Sequence, residues 1–245
     1  MKCSLCEGRG VAEGTNARCA VCWGLRVMVP LTDAEIRKIL DDAQTFKVNG
    51  HFRLAGDQHT AMYVEKEKLF RCHQQVSLLG KQMAHRFLSY GQSARVVVTP
   101  HGGSFVLAQS MACWLQDSRG PQIFCAYASE PAGDTLGTPR HLTFRPAFEE
   151  VVRDQRVFVF DDVWTRKEGG TTSKVINAVR RFDGDVVGAG CLVDRGGVTA
   201  EDLGLRHGEL CIPLLSIAMD TFDPAVSCPM CDSGMPINKS LGHGA

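Results

Sequence analysis

The chain has 245 residues, of which 44% are apolar and 22% charged, the composition of an ordinary soluble globular protein. Its 27 basic and 27 acidic residues cancel, which argues against a general nucleic-acid binder because such proteins carry a basic excess. With no run of about 18 apolar residues and no apolar stretch after the first lysine, we expect no membrane contact, no signal peptide and a cytoplasmic location.

The first element is a cysteine-rich module over residues 1–30. It contains two C-x-x-C pairs, formed by Cys3, Cys6, Cys19 and Cys22. Two such pairs can place four thiolates around one tetrahedral zinc ion. About 30 residues bury too little core to fold alone, whereas a structural zinc contributes on the order of 10–16 kcal/mol. The pattern predicts structural Zn²⁺ here, with redox or disulfide use as the alternative, and it resembles the cysteine-rich modules of J-domain chaperones.

Residues 31–90 are predicted to form a helical and irregular segment that leads into the main body. Thr32 and Glu35 have the spacing of a capping box, so a helix should begin there. Apolar residues recur at helical spacing from Val76 to Phe87, which predicts one long amphipathic helix over residues 69–90.

Residues 91–220 alternate short apolar runs with helical patterns. The runs predict five strands, near residues 95–98, 122–126, 157–160, 185–193 and 210–215. Between them, residues 105–115 and 171–182 are helical in period, and residues 129–140 have a loop composition. Strands that are apolar at every position belong to a parallel sheet covered on both faces. We therefore predict an α/β fold, with a Rossmann-like parallel sheet flanked by helices.

The last segment, residues 221–245, is a tail with a third C-x-x-C pair, Cys228 and Cys231. This pair has no obvious second pair in the sequence. It could take metal ligands from a partner chain or from Cys191 or Cys211, or it could be a structural turn. The remaining isolated cysteines have apolar surroundings and are expected to be small buried hydrophobes.

The most informative motif follows the third predicted strand. Two acids, Asp161 and Asp162, are followed by a loop and then by a helix start at Gly169, Gly170, Thr171 and Thr172. Carboxylates beyond a strand can bind vicinal hydroxyls or face Mg²⁺, and a helix start binds anions. No G-K-[S/T] follows the glycines, which excludes a Walker P-loop. The motif predicts a site for a phosphorylated ribose; the alternative is a strand–loop–helix unit whose acids only cap the helix.

This motif resembles the phosphoribosyl-diphosphate motif of type I phosphoribosyltransferases, and the resemblance implies their fold. By that resemblance Asp161 and Asp162 hold the ribose hydroxyls. The 5′-phosphate would be held by Thr165 together with Gly169, Gly170, Thr171 and Thr172. The insertion at residues 166–168 makes this loop about two residues longer than the family's usual form.

Further segments are similar to the orotate branch of that family, over roughly residues 48–240. They are residues 50–54, 59–66, 99–103, 194–197 and 228–236. The resemblance implies that Lys66 contacts orotate or the diphosphate and that Arg195 reaches the orotate carboxylate. It also implies a pyrophosphate loop, one residue short, formed by Pro100, His101, Gly102 and Gly103.

The family's mobile loop corresponds to residues 127–144, where a lysine is usual. This loop contains no lysine, and Arg140, His141 or the nearby Arg145 could replace it. Gln58 also stands where a basic residue is common. The substitutions leave open whether the loop delivers a catalytic cation.

The resemblance implies transfer of phosphoribosyl from phosphoribosyl diphosphate to a nucleobase, with orotate favoured. The products would be a nucleotide and pyrophosphate, Mg²⁺ would be required, and the protein would be a homodimer acting in pyrimidine nucleotide biosynthesis. Two alternatives remain. One is a non-catalytic module that senses phosphoribosyl diphosphate or binds partners through its zinc knuckles, and the other is transfer to another base.

Overall fold

The computed structural model describes residues 30–54, 56–100, 103–116, 121–131, 141–165 and 170–241. The helices are α1 (Asp33–Asp42), α2 (Lys66–Phe70), α3 (His73–Ser89), α4 (Phe105–Leu115), α5 (Pro146–Val152), α6 (Thr171–Arg181) and α7 (Pro229–Asp232). The strands are β1 (Phe46–Lys47), β2 (Phe52–Arg53), β3 (His59–Thr60), β4 (Tyr63–Val64), β5 (Val96–Pro100), β6 (Phe124–Ala128), β7 (Arg156–Trp164), β8 (Asp185–Asp194) and β9 (Leu210–Ser216).

Five strands form one parallel sheet in the order β6-β5-β7-β8-β9. Successive residues of β7 face opposite sides, so Phe158 and Phe160 join one buried apolar cluster while Val157 and Val159 join the other. Helices α3 and α4 contribute to the first cluster and α6 to the second. The predicted α/β fold, a parallel sheet with helices on both faces, is confirmed.

The strand order reverses between β5 and β7. From β5 the chain crosses to β6 at one edge, whereas from β7 it proceeds through β8 to β9 at the other edge. The crossovers therefore diverge at the carboxyl ends of β5 and β7, which opens a crevice where ligands of doubly wound folds bind. The crevice lies beside the acids of β7 and the end of β5 at Pro100.

The N-terminal part of the described chain packs onto this body. Thr32 caps α1 with the predicted box, accepting from the Glu35 amide while the Glu35 carboxylate accepts from the Thr32 amide. Ile36 and Leu40 of α1 are fully buried in the first cluster. Two short antiparallel pairs follow, β1 with β4 and β2 with β3.

Several boundaries differ from those predicted. The helix expected over residues 69–90 is interrupted because Cys72 has an extended backbone, with φ −107° and ψ 96°, so α2 and α3 are separate. Strand β6 begins two residues later than expected, and α5 has too short an apolar pattern to be recognised. Strand β7 continues past its two acids to Trp164, so Asp161 and Asp162 lie inside a strand rather than after it.

A glycine inside α3 lets two helices approach closely. A Cβ atom at Gly80 would lie 2.2 Å from Ser110 Oγ of α4 and 2.6 Å from Ser110 Cβ.

Among the described residues, no helix combines the length and the apolar character needed to cross a membrane. The N-terminal module with Cys3, Cys6, Cys19 and Cys22 lies outside the described residues.

Candidate active site

Asp161 is held on two sides by hydrogen bonds. Its Oδ2 accepts from the hydroxyl of Thr172 at 2.6 Å, and its Oδ1 accepts from the Asp162 amide at 2.8 Å. Both acids of β7 are 5% exposed. The first turn of α6 is thus tied to the central strand through a carboxylate and a hydroxyl.

The environment of Asp161 disfavours its charge. Burial and the adjacent Asp162 carboxylate raise the pKa of Asp161 to about 7, although the hydrogen bonds from Thr172 and the Asp162 amide and the charge of Lys66 oppose the rise. A carboxyl group in a cleft whose pKa is shifted this far is a candidate functional group.

Asp162 is the meeting point of two other elements. Lys66, the first residue of α2, places its Nζ 2.5 Å from Asp162 Oδ2, and the Ser104 hydroxyl donates to the same oxygen at 3.0 Å. Burial alone would lower the pKa of Lys66, but the charge and hydrogen bond of Asp162, with Asp161, outweigh it and the pKa is raised. Lys66 is therefore a fixed cation beside the two acids.

A polar cleft lies between the end of β7 and the start of α6. The residues that line it include Asp161, Thr165, Gly170, Thr171, Thr172, Ser173, Val198, Asp202 and Leu203. The N-cap of α6 is Gly170, which has no side chain to accept hydrogen bonds from the first amides of the helix. Those amides therefore remain available to an anion. Of the residues predicted to hold the 5′-phosphate, only Gly169 lies outside the described chain.

Arg195 follows β8, the strand next to β7. Its backbone N–H donates to the Trp164 carbonyl at 3.1 Å, directly before Thr165. The preceding Asp194 carboxylate accepts from the amides of Gly196 and Val198, at 3.0 and 3.1 Å, which fixes the turn. Burial lowers the pKa of Arg195, an effect that Tyr63 partly opposes, so the guanidinium is partly withdrawn from water.

The predicted pyrophosphate loop is described only at its ends. Pro100 is the last residue of β5, and Gly103 packs so closely on Phe70 that a Cβ there would lie 2.7 Å from the ring. His101 and Gly102 lie outside the described residues, as does Arg140 of the predicted mobile loop. The base of that loop is closed by mutual backbone hydrogen bonds between Ser129 and Thr143.

Sequence reasoning missed Ser104, whose hydroxyl contacts Asp162. A usable signal was its position directly after the predicted glycine loop, because that loop follows β5 while the acids lie in the last part of β7, the adjacent parallel strand. The structure thus brings together Lys66, Asp161, Asp162 and Thr172, with Ser104 added.

Comparison with known proteins points to one family. No family model matches the chain. The orotate phosphoribosyltransferase of Desulforamulus reducens is 30% identical over 192 residues, covering 78% of this chain and 88% of that protein. The orotate phosphoribosyltransferase of Pelotomaculum thermopropionicum is 31% identical, with the same coverage of 78% and 88%.

Solved structures agree at the level of the fold. The crystal structure of Mycobacterium tuberculosis orotate phosphoribosyltransferase aligns with a TM-score of 0.51 and 24% identity, covering 76% of this chain and 96% of that one. The parallel five-stranded sheet with flanking helices is therefore the type I phosphoribosyltransferase fold. With two relatives at 30% identity or above that are matched over most of their length, the chain belongs to the orotate phosphoribosyltransferase family.

Proposed function

We propose that this protein transfers a phosphoribosyl group from phosphoribosyl diphosphate to a nucleobase, with orotate as the favoured acceptor, in pyrimidine nucleotide biosynthesis. In this reaction a C–N bond forms at the anomeric carbon of the ribose while the C–O bond to the diphosphate breaks. The main observation behind this proposal is the buried acid pair of β7. Asp161 is hydrogen-bonded to Thr172 at the start of α6, and Asp162 forms an ion pair with Lys66 of α2. Family membership is independent support.

In this proposal the chain acts by positioning and electrostatics. Asp161 and Asp162 accept hydrogen bonds from the ribose hydroxyls, and the cleft lined by Thr165, Gly170, Thr171 and Thr172 holds the 5′-phosphate on the first amides of α6. Lys66 supplies positive charge beside the diphosphate, where negative charge builds up as the bond breaks. Arg195 approaches from β8 and holds the carboxylate of the acceptor.

Magnesium fits the acid pair. Mg²⁺ prefers oxygen ligands and binds through one or two carboxylates plus substrate phosphates. Asp161 and Asp162 offer carboxylates at the carboxyl end of a central strand, and their present partners leave lone pairs unused. When bound, the ion would neutralise charge on the leaving diphosphate.

The decisive experiment measures binding and turnover separately on the full chain. Calorimetric titration with phosphoribosyl diphosphate and Mg²⁺ should show saturable binding, and the loss of orotate absorbance should show turnover. The variant D161N/D162N should lose both, whereas K38Q, a change at an exposed lysine of α1, should lose neither. A wild-type protein that does not bind phosphoribosyl diphosphate would refute the proposal.

A second candidate is a non-catalytic sensor of phosphoribosyl diphosphate. It is favoured by the loop over residues 127–144, which contains no lysine. Binding without turnover of orotate or any other base would support the sensor. Turnover of a different base, found by screening, would identify a phosphoribosyltransferase with another acceptor.

We further infer that Cys3, Cys6, Cys19 and Cys22 bind one structural zinc ion, because two C-x-x-C pairs supply four thiolates. The inferred roles of Arg140 and of the loop with His101 and Gly102 rest on the family resemblance alone. A homodimer, tested by sedimentation, and a cytoplasmic location, tested by fractionation, remain predictions of the same kind.

A further inference from the structure

Four potential metal ligands converge on one point away from the acid pair. His51 precedes β2, His59 begins β3, Cys228 is the N-cap of α7, and Cys231 lies within α7. Their ligand atoms all lie within 4.8 Å of one another. Both cysteines are free thiols rather than a disulfide. Histidines from a hairpin and cysteines from the tail, about 170 residues later, thus share one small volume.

The distances suit a tetrahedral ion. Two ligands with Zn–N and Zn–S bonds of about 2.1 and 2.3 Å, at the tetrahedral angle, are about 3.6 Å apart. The nitrogen–sulfur distances are 3.9 and 3.7 Å from His51 Nε2 to Cys228 and Cys231, and 3.6 and 3.4 Å from His59 Nδ1 to the same sulfurs. The two nitrogens, 2.8 Å apart, need to separate by roughly half an ångström around an ion.

Neighbouring groups orient both imidazoles. His51 Nδ1 contacts the Met235 carbonyl at 2.7 Å, so it carries the proton and its Nε2 presents a lone pair to the cluster. His59 is fixed by backbone hydrogen bonds to and from Phe222, both 2.8 Å.

We propose that His51, His59, Cys228 and Cys231 form a Cys₂His₂ zinc site that fastens the C-terminal tail to the β2–β3 hairpin. Thiolate and imidazole together select zinc over magnesium or calcium. Four protein ligands leave no open position, which is typical of a structural site rather than a catalytic one. Three of the four residues are buried, and the fourth, Cys231, is exposed.

The site corrects the interpretation of the third cysteine pair. Cys191 and Cys211, considered from sequence as possible partners, lie on β8 and β9 and are not part of the cluster. The two histidines were missed because nothing in their local sequence marks them as ligands. Their role emerges only from the pairing of β2 with β3 and of His59 with Phe222.

The zinc site has a consequence for the acid pair. The hairpin that carries His59 continues through β4 to Lys66, which contacts Asp162. An ion that fixes His59 to the tail therefore limits the freedom of the segment that delivers this lysine. The assignment of the metal does not depend on any catalytic activity.

Metal content of the full chain tests the proposal. With the N-terminal pairs intact, C228S/C231S should contain one zinc equivalent per chain less than the wild type, by mass spectrometry of the metal. C113S, which removes an exposed cysteine outside the cluster, should lose none. Unchanged zinc content in a folded C228S/C231S protein would overturn the assignment.

A second measurement decides the matter if C228S/C231S does not fold. Replacing Cys3, Cys6, Cys19 and Cys22 by serine leaves the C-terminal ligands as the remaining proposed site. Titration of this variant, stripped with a chelator, with Co²⁺ should produce the absorption of tetrahedral cobalt bound to thiolates, at one equivalent. Zn²⁺ should abolish that absorption and raise Tm. A titration without these bands would also overturn the proposal.

Discussion

The Thr172 hydroxyl, in the first turn of α6, donates a hydrogen bond of 2.6 Å to Asp161 on the central strand β7. Because both residues are buried, the bond serves the fold and the proposed substrate site together. T172V keeps the shape but removes the donor. It should lower the free energy of unfolding by about 1–3 kcal/mol, since a buried acceptor loses a partner. Urea unfolding measures this loss, and T172S should recover most of it; equal losses in both variants would contradict the explanation.

The pH dependence of stability should show that the folded protein disfavours the ionised form of Asp161. Its pKa is raised to about 7 in the folded protein, above the ordinary value of 3.8 that applies when unfolded. Between these values the folded state holds a proton that the unfolded state has lost, so the contribution of Asp161 to stability falls as pH rises from about 4 to 7. The cost is complete above pH 7.

D161N removes this titration. The free energy of unfolding of D161N minus that of the wild type should therefore increase as the pH rises from 5 to 8, because only the wild type loses stability through Asp161. Urea titrations of both proteins at the two pH values test the prediction, with N49D as a control at a surface turn, distant in sequence from the acids. A difference that does not change with pH would show that Asp161 titrates normally.

Lys66 should act through its charge. K66M should reduce kcat/KM for phosphoribosyl diphosphate by about 10- to 100-fold, because one charge-assisted contact contributes about 1.5–3 kcal/mol. K38M removes a lysine of α1 whose side chain is 73% exposed, and it should leave kcat/KM unchanged. In a double-mutant cycle with D162N, the two losses should be non-additive since the groups are in contact. Strict additivity would indicate that the ion pair does not matter to the reaction.

Arg195 should affect the acceptor more than the donor. R195A should raise KM for orotate by about 10- to 100-fold, while the Kd for phosphoribosyl diphosphate changes little, because the guanidinium is assigned to a carboxylate of the acceptor. R195K should recover only part of the loss, since an ammonium cannot make the paired contact. R206A, at an exposed arginine, is the control. A larger effect on the binding of phosphoribosyl diphosphate would reassign Arg195 to the donor.

The sequence predicted those parts of the fold whose signal is local. Thr32 and Glu35 marked the start of α1, and the apolar runs identified all five strands of the parallel sheet. The break at Cys72 was missed because the apolar period continues across it, and only the backbone angles separate the two helices. The acid pair could be proposed as a site from the sequence because its chemistry is concentrated in neighbouring residues.

Contacts between distant segments could not be predicted in the same way. Ser104 reaches Asp162 across 58 positions, and His51 reaches Cys228 across 177. Such contacts depend on strand order and hairpin pairing, which no short window of sequence contains. Lys66 was identified through a family resemblance, and its partner became known only from the folded chain.

Strand β7 is the third of five strands; residues 157–159 pair with β5, and the strand pairs with β8 along most of its length. Amide groups in such a strand exchange with solvent only when much of the molecule opens, whereas loops open locally. We therefore expect the amides of β7 next to the acids to exchange more slowly than those of the connections between elements. Evolution can therefore alter those connections, and with them the choice of acceptor, without displacing the carboxylates on which the sugar would rest.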